Sequence, residues 1–98
     1  MTQNFLSYQW ALEIYREVET IKTYGELRDQ LRRASLSVVL NLAEGAGRWG
    51  KKDQTRFYRI ALGSFREMEA CLDILKVRVN EDTRRKLVAS LIKLSRPS

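Results

Sequence analysis

Apolar residues return along this chain at intervals of three and four, the period of helices that bury one face. In the first such segment, Phe5 to about Lys22, Tyr8, Ala11, Leu12, Tyr15 and Val18 carry the pattern, Ile14 and Ile21 widen it, and Asn4 is placed to cap it. Thr23-Tyr24-Gly25 breaks the pattern, which resumes from Glu26 to about Arg48 with Leu27, Leu31, Ala34, Val38, Leu42 and Gly45 on one stripe. Gly45, Gly47 and Gly50 loosen the chain around Arg48 and Trp49. A third helix is expected from Lys52 to about Arg78, with Asp53 near its positive end and Phe57, Ile60, Ala61, Ser64, Met68, Cys71, Leu72 and Leu75 inward. Asn80 can end that helix or cap the next. The last, shorter helix runs from Glu81 to about Leu94, with Leu87, Val88, Leu91 and Leu94 inward. Four helices with short connections make a single all-α domain over residues 1–98, an antiparallel up-down-up-down four-helix bundle.

Two helices carry more apolar surface than such a bundle needs. Leu36, Val39, Leu40 and Ala43 fall opposite the core stripe of the second helix, and Tyr58, Leu62 and Phe65 form a second row on the third. A helix apolar nearly all round is buried all round. It is either central in the monomer or covered by another subunit, and in a bundle this small subunit contact is the expectation for Leu36, Val39, Leu40, Tyr58, Leu62 and Phe65.

Polar residues are also aligned. Gln30, Arg33, Ser37, Asn41, Glu44 and Arg48 follow one another at three or four residues on the second helix. Arg33 and Arg48 suit phosphate contact, whereas Asn41 and Glu44 read as an inter-helix polar network that fixes register. Lys52, Arg56, Arg59 and Arg66 make a row on the third helix that contains no acid, with Arg48, Trp49 and Lys51 just upstream. A solvated face would explain that row, but converging bases also suit a salt-sensitive contact with a polyanion. Trp49 could stack on an unpaired base or pack on a neighbouring helix.

Charge sharpens this choice. The 98 residues carry a net charge of +6, and residues 28–66 alone hold nine bases and three acids. With no histidine there is no catalytic triad or His-metal site, and the one cysteine, Cys71, excludes an intramolecular disulfide or multi-thiolate site. Gly45-Ala46-Gly47 follows a helix, where a phosphate loop would precede one. No enzyme activity, cofactor or metal is therefore expected. No signal peptide or run of about 18 apolar residues is present, and a cytoplasmic location is the default.

Specific stretches go further. Leu31-Arg32-Arg33-Ala34-Ser35, Asn41 through Arg48, and Phe57 through Ser64 followed by Glu67 occur in an order that resembles the bacterial four-helix-bundle family named after proteins encoded in 23S rRNA intervening sequences. Tyr8-Gln9-Trp10-Ala11 is similar to that family's opening helix, so the resemblance covers most of the chain. It extends to accessory variability proteins of diversity-generating retroelements, and implies a basic homopentamer that binds nucleic acid and associates with a reverse transcriptase. The expectation is an accessory protein for structured RNA, contacted through Arg33, Arg48, Lys51, Lys52, Arg56, Arg59 and Arg66. The alternative is an oligomeric interaction module whose basic face meets an acidic protein.

Overall fold

A computed structural model describes residues 2–97, which form helices α1 (Gln3–Glu19), α2 (Gly25–Ala46), α3 (Lys51–Leu75) and α4 (Glu81–Leu94). α1 packs on α2 and α4, and α3 packs on the same two, while α1 and α3 face each other only across the diagonal. This is the expected up-down-up-down bundle. Its long axis of 40 Å is about the length of α3 alone at 1.5 Å per residue.

Helix ends show what sequence spacing missed. Thr2, not Asn4, caps α1, its hydroxyl accepting from Phe5 N at 3.2 Å. The start of the helix, two residues longer than expected, is docked on α4 through a largely buried cluster. Gln3 Nε2 donates to Ser90 Oγ at 2.7 Å, the Ser7 hydroxyl donates to Gln3 O at 2.7 Å, and the two serine hydroxyls meet. α1 stops at Glu19, three residues early, where the Thr20 hydroxyl donates to Glu17 O at 2.6 Å and satisfies a terminal carbonyl. α2 begins one residue before the expected Glu26, at Gly25, whose φ of 69° needs no Cβ strain. It ends two residues before Arg48, at Ala46.

α3 ends at Leu75 instead of Arg78 because the chain turns at Lys76, left-handed at φ 57°. Lys76 N bonds Asp73 O and Val77 N bonds Leu72 O, both at 3.1 Å, closing the last carbonyls. That turn carries Val79 into the core at 5% exposure. Asn80 then caps α4, accepting from Thr83 N at 3.0 Å, while its own N–H donates to the Glu17 carboxylate at 2.9 and 3.0 Å.

The core is centred on Ile14, Leu31, Leu42, Phe65, Met68, Leu87 and Leu91. The buried face of α3 is rotated from the expected one. Tyr58 and Phe65 are 2% and 0% exposed, whereas Ile60, expected inward, is 43% exposed. α3 must face both α2 and α4, so its buried arc centres between the two apolar rows. Val39, expected opposite the core stripe of α2, is likewise buried in the core cluster. Val39, Tyr58 and Phe65, expected at a subunit seam, are thus covered by their own chain. Leu62 is half-buried, and only Leu36 and Leu40 of that set are exposed.

Candidate nucleic-acid interface

The antiparallel topology sorts charge by end. Cutting each helix at its middle leaves residues 2–10, 36–62 and 88–97 in the half that holds the α2–α3 corner. That half carries seven bases (Arg48, Lys51, Lys52, Arg56, Arg59, Lys93, Arg96) and two acids (Glu44, Asp53). The other half carries eleven bases and ten acids. Nearly all the excess charge is therefore gathered at one end.

The corner is a four-residue connection, Gly47 to Gly50, held at both sides. Arg48 N bonds Gly45 O at 3.1 Å, Gln54 N bonds Gly50 O at 3.0 Å, and Gln54 Nε2 donates to Arg48 O at 3.1 Å. Arg48 donates to Glu44 Oε2 at 2.9 Å and lies 3.7 Å from Asp53 Oδ2. Arg56 donates twice to Asp53 Oδ1, at 3.2 and 3.0 Å. Both guanidiniums stack on Phe57, 4.7 and 4.4 Å from the ring centroid. Phe57 is therefore a half-buried shelf between two arginines instead of the core residue expected. The Asp53–Arg56 spacing of three residues was the available signal for this arrangement.

Arg59 reaches across to α4, donating to Ser95 O at 3.0 Å, which satisfies a C-terminal carbonyl of that helix. Lys51 and Lys52 are exposed and meet no acid among the described residues. A shallow groove beside them is lined by Gly50, Lys52, Asp53, Arg56, Arg59 and Ile60. Trp49 is fully exposed at 102%. It does not pack on a helix of its own chain, which leaves unmade a burial that typically stabilises a large side chain by about 1.5–3 kcal/mol.

The remaining expected residues separate. Arg66 continues the α3 row, ten residues beyond Arg56 and about 15 Å further along the axis. Arg33, which donates to Gln30 Oε1 at 3.0 Å, lies about 22 Å along α2 from Arg48 and is not part of the corner. Asn41 bonds only its own helix, its Nδ2 donating to Ser37 O and Oγ at 2.9 and 3.0 Å, and it is Ser37 that links α2 to α3, its hydroxyl meeting that of Ser64 at 2.7 Å. Glu44 stands outside this network, paired to Arg48 on its own helix.

The family model described as 23S rRNA-intervening sequence protein matches residues 5–96. The chain belongs to this family. No curated protein and no solved structure matches it significantly. Among the described residues of this family member, no helix is long and apolar enough to cross a membrane, and no group of three His, Cys, Asp or Glu side chains could hold a metal ion.

Proposed function

We propose that this chain is a non-catalytic accessory protein that binds structured RNA at the basic end of its bundle. The observation that carries the reading is the segregation of charge, with seven bases facing two acids in one half. Such a concentration raises the local density of a polyanion and makes binding salt-dependent. The family's description, which ties its members to intervening sequences of 23S rRNA, supports RNA over DNA. The likeness to accessory variability proteins adds a reverse transcriptase as a protein partner. It also adds self-association, as a pentamer, for which the exposed Leu36 and Leu40 on α2 offer a contact.

The test is binding of a labelled structured RNA across a salt series, with Lys51→Glu/Lys52→Glu as the probe variant. Those lysines make no contact that holds the fold, whereas Arg56 and Arg59 bond Asp53 and Ser95. Wild type should bind with affinity falling linearly in log[salt], and the variant should bind more weakly with a slope shallower by about 1–2. Absence of binding at low salt by folded protein, or equal binding by the variant, overturns the reading. Binding of an acidic protein that survives excess RNA would replace it with the interaction module.

A further inference from the structure

We infer that Trp49 is a stacking platform for an unpaired base, so that the RNA taken at this corner presents single-stranded nucleotides in a loop, bulge or end and not a continuous duplex. This rests on the RNA-binding reading above. The chain holds two tryptophans in contrasting settings: Trp10 packs against the core, whereas Trp49 is exposed over its whole surface. Isolated apolar residues are common on protein surfaces, so exposure by itself decides nothing.

Three further observations do. The backbone on either side of Trp49 is fixed by the bonds from Gln54 to Arg48 O and Gly50 O, so the ring is presented from an ordered turn. Its neighbour Gly50 has no side chain, and an added Cβ there would meet nothing within 4 Å apart from the adjoining Trp49 and Lys51, so no other part of the chain crowds this side of the turn. The lysines that follow at once, Lys51 and Lys52, are exposed and free of acids among the described residues, next in the chain to the ring.

The form of RNA follows from what an indole face can reach. In an A-form duplex the bases are stacked on one another and present only edges, while a splayed base offers its π-face. Stacking on an aromatic ring is tolerant of base identity, with the lysines tracking the phosphates. Positive charge around the ring selects a polyanion over an apolar pocket on a protein.

The experiment titrates a labelled single-stranded 12-mer and a 12-base-pair RNA duplex into wild type, Trp49→Ala, Trp49→Phe and Lys51→Glu/Lys52→Glu. Thermal melts confirm that each variant folds, as expected for a residue outside the packing. Trp49→Ala should weaken single-strand binding by about 5- to 150-fold, the usual loss for one stacked base, with an unchanged salt slope. Trp49→Phe should recover part of that loss, and the duplex should be unaffected by either. Equal losses for both RNAs, or an undiminished single-strand affinity in Trp49→Ala, overturn the stacking platform. In both cases the lysine variant still reports whether RNA binds here. If wild type binds neither RNA at low salt, both readings fall together.

Discussion

Adding one methyl group at each of two helical glycines should move stability in opposite directions. Gly45 lies in the last turn of α2, buried against α3, where an ideal Cβ would sit 2.6 Å from Tyr58 Cε1 and 3.0 Å from Cδ1. The Tyr58 ring is 2% exposed and has little room to yield. Inserting a methylene into a packed site typically costs 1–3 kcal/mol. Alanine's helix preference over glycine returns up to about 1 kcal/mol, less in a final turn. Gly45→Ala should therefore destabilise by about 1–2 kcal/mol. Gly63 is exposed in the middle of α3 with nothing within 4 Å of an added Cβ. There the same change should stabilise by about 0.5–1 kcal/mol, because only propensity and unfolded-state entropy are at stake.

The separation of about 2 kcal/mol corresponds to about 8–16 °C in Tm for a domain of this size. Urea and thermal unfolding followed by circular dichroism would measure it. Tyr58→Phe leaves Cε1 in place and should not relieve Gly45→Ala, whereas Tyr58→Leu should, giving a double variant better than additivity. If Gly45→Ala is as stable as wild type, or both glycines shift alike, the close packing of α2 on α3 at this point is refuted.

Two further outcomes are expected. The Glu19 carboxyl is held below its ordinary 4.5 by hydrogen bonds from Tyr15 and then Arg32, and that of Glu81 by Arg84. A depressed carboxyl contributes stability that is complete above the unfolded value and lost as pH falls through the folded one. Urea midpoints should therefore be flat from about pH 7 to 5 and fall below about 4.5, with a shallower fall in Glu81→Gln; an identical acid limb in that variant would contradict the assignment. Lys76→Gly should stabilise by about 0.5–1 kcal/mol by relieving the left-handed turn at φ 57°, and a loss of stability would count against that geometry.

The number, order and hand-off of the helices were legible because period and breaks are local properties. α4, with Asn80 before it and an uninterrupted apolar spacing within, has the expected bounds of Glu81–Leu94. α1 and α3 each end three residues early for reasons no local pattern carries. Thr20 satisfies a carbonyl with its own hydroxyl, and Lys76 takes a conformation usually left to glycine so that Val79 can turn inward. Choosing between the Phe57 and Tyr58 rows of α3 required knowing that it packs on two neighbours at once. The basic residues were legible, but not their company: Asp53 joins Arg48 to Arg56, while Lys51 and Lys52 are left free of acids among the described residues.

Linear charge counting placed the excess in the middle of the sequence, and folding changes what that excess means. Residues 28–35 and 63–66, which carry four of its bases and one acid, fold into the half where nine further acids accompany them. Residues 88–97 bring Lys93 and Arg96 to the opposite end, beside a corner with only two acids. Gathering like charges at one end opposes folding through self-repulsion. A chain of this length has little stability to spare. Arg59 offsets part of that repulsion by bonding Ser95 O, and Arg48 and Arg56 do so through Asp53 and Phe57. Lys51 and Lys52 have no such return, nor does the solvated indole of Trp49. Lys51, Lys52 and Trp49 gain nothing from their own chain, and they are where we place the proposed RNA contact. The proposal therefore rests on these three adjoining positions, and the arginines around them are already engaged within the fold.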